Sequence, residues 1–151
     1  MKILVFSDSH GTIAPMEQAV SALAPDLILH LGDYARDARL LAAACPHIPI
    51  RAVRGNCDLG STPPELEDFI VAEKRIVMTH GHQYRVKSEL TDLYNMGRAA
   101  AADLLLFGHT HIPHYEQLGA MHVLNPGSAG AKSAAIIQIT DGEIQCGHLS
   151  L

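Results

Sequence analysis

The sequence has no tryptophan, and aromatic residues make up only 5% of its 151 positions. A stacking platform for nucleic-acid bases has little to be built from. Positive charge is also scarce. Lysine and arginine number 11 against 16 acidic residues, the net charge is −5, and no basic cluster exceeds Lys74-Arg75. Nucleic-acid binding is therefore not indicated. The three cysteines, Cys45, Cys57 and Cys146, are odd in number and far apart. They form no Cys-x-x-Cys zinc pattern and no evident disulfide framework, so a reducing cytoplasm is the expected compartment. No apolar run nears the roughly 20 residues of a membrane helix, and no membrane partner is expected. The apolar start at Ile3 gives way at once to Asp8 and His10 and is too short for a signal-peptide core.

What is present suits a packed globular chain. Hydrophobic residues are 48% and charged residues 18%, so much of the chain must be core. The length fits one domain over residues 1–151. Apolar runs at 2–7, 26–31 and 48–53 read as buried strands, with helices over 15–24 and 36–44 between them. This βαβαβ order predicts a mostly parallel sheet. Runs at 65–71 and 74–79 read as a hairpin. Residues 88–102 read as a helix with Ser88 as its N-cap. Short strands at 104–107, 114–118, 121–124, 134–139 and 143–149 follow, and an antiparallel second half is expected. Two packed sheets with helices outside would bury all of these.

Histidine is abundant, with ten in the chain, and its placement matters more than its number. Asp8 and His10 follow the first strand, Asp33 the second and Asn56 the third. His80 follows the run ending at Thr79, and His109 and His111 follow Phe107. Ligands of α/β sheets bind outside the carboxyl ends of the strands, so five loops should converge on one rim. In an extended stretch, residues i and i+2 point the same way. Asp8 and His10 can thus reach one ion from one side, and His109 and His111 can do the same or split between two ions. Glycines beside the donors (Gly32, Gly55, Gly81, Gly108) allow sharp turns and close approach. Two carboxylates, one amide oxygen and four imidazoles suit divalent Mn, Fe, Zn or Ni better than Ca²⁺. A pair of such ions would leave net positive charge at the site and could polarise a phosphate.

At these positions the chain resembles the calcineurin-like metallophosphoesterases. The blocks are Asp8-x-His10, Gly32-Asp33, Gly55-Asn56-Cys57-Asp58, His80-Gly81-His82 and Gly108-His109-Thr110-His111. The likeness is nearest to the small YfcE-like phosphodiesterases and runs in order from Asp8 to about Ser128. It implies an α/β fold, a four-layer α/β/β/α sandwich of two mixed sheets flanked by helices. It also implies that Asp8, His10, Asp33 and His111 hold one metal ion. Asp33 would bridge to a second ion completed by Asn56, His80 and His109. A hydroxide bridging the two ions, Mn²⁺ for preference, would attack a small phosphodiester. The wider family has histidine where Cys57 stands, a departure shared by the YfcE-like branch. A thiol is a poor substitute for an imidazolium, so His82 becomes the candidate for leaving-group or substrate contact, with Asp58 to orient it.

Taken singly, most of these residues have plainer explanations. Asp8 could cap a turn, Gly32-Asp33 is a common turn pair, and Asn56 suits an Asx-turn. The set in order is what points to metal. His30 is expected to pack near the site without a direct role, and His47, His114, His122 and His148 to be structural or surface residues. Two other functions fit the same resemblance. One is a non-catalytic scaffold like the retromer subunit of this fold. The other is a phosphomonoesterase or protein phosphatase, for which basic candidates (Arg36, Arg54, Arg85, Lys87) are few. A homo-oligomer is compatible with the sequence.

Overall fold

The structure is a computed structural model and describes residues Met1–Leu151. The first half forms β1 (Lys2–Phe6), α1 (Ala14–Leu23), β2 (Leu27–His30), α2 (Ala35–Ala44) and β3 (Ile50–Ala52). Pro15 sits in the first turn of α1, where its missing N–H costs nothing. The three strands pair in parallel, because each connection crosses over through a helix.

The second half forms β4 (Leu66–Val71), β5 (Lys74–Thr79), α3 (Thr91–Ala99), β6 (Leu104–Leu106), β7 (His114–Leu118), β8 (Met121–Asn125), β9 (Ser133–Thr140) and β10 (Glu143–Ser150). One sheet has the order β10-β9-β1-β2-β3 and the other β4-β5-β6-β8-β7, each with five strands. The expected antiparallel second half needs correcting. β6 pairs in parallel with both β5 and β8, since α3 supplies one crossover and β7 loops out to the sheet edge in the other. Helix α3 is also shorter than the 88–102 reading. Ser88 is not its cap but donates its N–H to the Arg85 carbonyl, and the chain turns through left-handed Gly81 and Arg85 before Leu90 can start a helix.

Side-chain alternation builds the layers. Ile3 and Val5 of β1 face the second sheet and meet Ile76, Met78, Leu104 and Leu106. Leu4 and Phe6 point the other way, onto Met16 and Val20 of α1 and Leu41 of α2. Val77, Leu105 and Val123 face outward beneath Leu93 of α3. The result is four layers, α/β/β/α. Parallel β1, β2 and β3 in one sheet, and β5, β6 and β8 in the other, deliver their carboxyl ends to a common rim. Hydrogen bonds across the sheets fix that meeting: His80 Nδ1 to the Leu31 carbonyl at 2.8 Å, and the His109 N–H to Asp8 Oδ2 at 3.1 Å.

Candidate metal centre

The strand ends bring six of the seven expected ligands into two trios. Asp8, His10 and His111 offer donor atoms all within 4.8 Å of one another, and so do Asp33, His80 and His109. Five of these residues, Asp8, His10, Asp33, His109 and His111, have positive φ between 47° and 67°. Left-handed backbone is unusual for non-glycine residues and costs about 1 kcal/mol or more each. The turns that aim the donors are therefore held against a local preference.

Asp8 is fully buried and central. Its Oδ2 accepts from the Ser7 hydroxyl at 2.5 Å and from the His109 N–H. Its Oδ1 takes no hydrogen bond, although His111 Nε2 lies 3.1 Å away and His80 Nε2 3.9 Å away. A buried carboxylate oxygen left unpaired among imidazoles is costly in protein alone. It suits a cation lying between acceptor lone pairs, so the donors present fit divalent metal. Asp33 falls with His80 and His109, its Oδ2 3.4 Å from His80 Nε2, and Asp8 Oδ1 also lies near both trios.

His80 is oriented by its own hydrogen bond. Since the Leu31 carbonyl can only accept, Nδ1 carries the proton and Nε2 is free to ligate. Nε2 sits 3.2 Å from His109 Nδ1, nitrogen facing nitrogen. Burial lowers the His80 pKa, but the Asp33 and Asp8 carboxylates outweigh it and the net shift is upward. Burial likewise raises the Asp33 carboxyl, yet His80 and the Cys57 N–H bring it well below the carboxylate range. Burial and the neighbouring His80 hold His109 down at about 4, so it stays a neutral donor.

Asn56 stands exposed in the loop beside Asp33, with its amide nitrogen 3.6 Å from Cys57 Sγ. The Cys57 N–H donates to Asp33 Oδ1 at 2.9 Å, which fixes the loop at that point. A side chain at Gly55 would collide with this same carboxylate, and one at Gly108 with Ser7 and Asp8, so both glycines permit close approach. Burial and Asp33 push the Cys57 thiol pKa up, which leaves it neutral. His82 lies in a 3-10 turn, its ring 5.5 Å from His80 and 6.1 Å from His109, with a buried Nδ1 that has no partner. Asp58 has another occupation. Its two oxygens accept from the N–H groups of Ala35 and Gly55, both at 2.8 Å, so it ties the Asp33 loop to the Asn56 loop.

Sequence reasoning missed most of the supports behind these loops; only Ser128, which the family resemblance puts near the site, was expected to brace them. The Gly32 N–H donates to His30 Nδ1, so His30 Nε2 donates to Ser9, whose hydroxyl donates to Asp37 Oδ2. His30 is thus a buried strut, in keeping with its expected indirect role. Asn125 donates to the Gly108 carbonyl and to Thr110 Oγ1, both at 3.0 Å, and holds the loop that carries His109 and His111. Ser128 donates to the Asp8 carbonyl at 2.8 Å. One signal was available for Asp37, an acidic residue at a core-facing position of α2. Of the remaining histidines, His47 is exposed, and three are satisfied elsewhere: His114 by Glu116, His122 by Tyr115 and His148 by the Asn125 carbonyl.

Comparison with known proteins bears on this rim. The profile of the calcineurin-like phosphoesterase superfamily domain matches residues 1–142. The probable metallophosphoesterase YsnB of Bacillus subtilis is 34% identical over 134 residues, covering 85% of this chain and 75% of its own. The phosphodiesterase YfcE of Escherichia coli is 28% identical over 153 residues, covering 85% and 79%. Among solved structures, a predicted phosphoesterase of Streptococcus pneumoniae superposes with a TM-score of 0.84 at 28% identity, over 99% of this chain and 88% of that one. Zinc-complexed Vps29 of Entamoeba histolytica shares the fold at a TM-score of 0.77 and 21% identity, over 99% of each chain.

Proposed function

Because the chain belongs to the calcineurin-like phosphoesterase superfamily, we propose that its rim site hydrolyses a phosphodiester with a pair of divalent metal ions, manganese for preference. The observation that carries this reading is the unpaired, buried Asp8 Oδ1 facing both trios of donors. Asp8, His10, Asp33 and His111 would hold one ion, and Asp33, shared between the two, would hold the other with Asn56, His80 and His109. Held there, the ions supply positive charge to the phosphoryl oxygens and a water that ionises near neutral pH. The chain's own groups do the positioning. The Leu31 carbonyl aims His80, Asn125 holds the His109–His111 loop, and Asp58 fixes the loop that presents Asn56. His82 stands beside the enclosed trio and lines the cavity that opens at Asn56, where its ring can meet a substrate oxygen or a leaving group. With Cys57 a neutral thiol, the chain suits leaving groups that need little help.

Two features favour a diester. The relative named a phosphodiesterase covers most of this chain. Arg54, beside the Asn56 loop, pairs with Glu65 at 3.2 Å, which offsets the extra positive charge that a monoester would draw on. Three unpaired cysteines, one of them exposed, suit a reducing cytoplasm. The likeness to Vps29 supports a docking module as the second reading, on the fold alone. The test is hydrolysis of bis(p-nitrophenyl) phosphate and the matching monoester by protein stripped of metal and reloaded with Mn²⁺. Diester cleavage that chelator abolishes, and that Asp33→Ala and Asn56→Ala each lose, is the expected result. A pure, metal-loaded protein that leaves both esters intact while binding a protein partner would favour the docking reading.

A further inference from the structure

Two cavities open beside the rim, one on each side of the loop through Asp58, Leu59 and Gly60. The first, about 380 Å³, is bounded by Tyr34 and Cys57 towards the donors and by Arg36 and Arg39 of α2 on the far side. Both bounding residues touch the trios: the Tyr34 ring lies 4.8 Å from that of His10, and the Cys57 N–H holds Asp33. The second, about 300 Å³, contains Asn56 and His82, and its one arginine, Arg54, is paired with Glu65. A diester bound at the rim has two arms to place, and two cavities to receive them.

The cavities differ in charge. Arg51, Arg54, Arg75 and Arg85 are each within 3.2 Å of a carboxylate. Arg36 and Arg39 make no ion pair, and they share one cavity. The carboxylate in that cavity's wall, Asp58, is buried and spent on two backbone N–H groups. Asp37, between the arginines in sequence, is buried and bound by Ser9 and Gly11. Arg36 also lies in the first turn of α2, where the backbone dipoles disfavour cations. Both arginines are exposed, like Arg98 of α3, and solvent carries their charge; what sets them apart is that they share one cavity whose wall has no free carboxylate. A hydrogen-bonding dianion fits such a pair, because guanidinium forks match phosphate oxygens. Ser61 and Thr62 line the same space.

We infer that this cavity is a subsite for a second phosphate, carried on one arm of the diester. The substrate class is then a phosphodiester with a further phosphoryl group on one side and an uncharged group on the other. The phosphorylated arm lies over Tyr34 towards Arg36 and Arg39, and the uncharged arm lies towards His82. This assignment rests on the phosphodiesterase reading above.

The test uses metal-loaded protein and two matched substrates, the p-nitrophenyl ester of thymidine 5′-phosphate and the same ester with a 3′-phosphate. The phosphorylated ester is expected to be favoured about tenfold in kcat/KM, through KM, as two charge-assisted contacts allow. The double variant Arg36→Gln/Arg39→Gln should erase that preference and leave the unphosphorylated ester within about twofold of wild type. Arg98→Gln, which removes an exposed unpaired arginine of α3, should keep the preference and so exclude a general charge effect. No preference in wild type, or one that survives the double variant, overturns the subsite. If wild type cleaves neither ester, the phosphodiesterase reading fails instead. Calorimetric titration with thymidine 3′,5′-bisphosphate against the 5′-monophosphate then decides the subsite without turnover. Tighter bisphosphate binding lost in the double variant supports it, and equal affinities overturn it.

Discussion

The two donor trios use the same residue types on the same kind of loop, yet they differ in enclosure. Asp33 and His80 are buried and His109 is half-buried, whereas His10 and His111 stand in solvent around a buried Asp8. The enclosed trio is fixed by the protein itself, through Leu31 on His80 and Cys57 on Asp33. The exposed imidazoles have only each other and Tyr34 as ring neighbours. Ordering a free side chain on binding costs on the order of 1 kcal/mol, so the open trio should hold its ion less tightly. One half of the centre is preformed, and the other is completed by what it binds.

The severest way to break this distinction is Asp8→Ala, since Asp8 Oδ1 faces both trios. It should lower kcat/KM by about a thousandfold. Elemental analysis after dialysis should find both sites depleted, and one tightly held ion remaining would show that the trios are independent. A smaller effect separates them. His80→Ala should cost about a hundredfold with no rescue by excess Mn²⁺, whereas His10→Ala should recover to within about threefold as Mn²⁺ is raised. Equal rescue of the two variants in a metal titration would abolish the asymmetry.

Acid probes the support behind both trios. Burial holds the His30 pKa at about 4 against an ordinary 6.5, so the folded state takes up its proton later than the unfolded chain. Its effect on stability is absent above about pH 6.5 and grows as pH falls towards 4, reaching a loss on the order of 3 kcal/mol. His80 works in the opposite sense in the metal-free protein, because its pKa is raised. The comparison must therefore be with His30→Gln, whose denaturation midpoint should fall less than that of wild type between pH 7 and 4. Parallel curves for the two proteins would remove His30 as the cause.

Much of this was legible in the chain because each donor directly follows an apolar run. Asp8 ends the buried run of β1, and His109 and His111 follow that of β6; a strand and its loop are local facts. Strand direction was not legible in the second half. The three leucines of β6 read the same in a parallel or an antiparallel pair, and only the excursion of β7 to the edge decides between them. The props were equally hidden. Ser9 meets Asp37 28 residues away, and Asn125 reaches a carbonyl 17 residues back, so neither contact leaves a trace in spacing. Asp58 was readable as polar and close to Asn56, but its attachment to two backbone N–H groups needed the fold.

The left-handed turns at Asp8, His10, Asp33, His109 and His111 set the demands of stability and of function against each other. Glycine at any of them would relax the chain at the very place where a donor is needed. A protein improved only for thermal endurance would drift towards losing its ligands one by one, and each step would leave it hardier and less able to hold metal. The rim is thus a place where the chain stays slightly uncomfortable so that it can remain reactive.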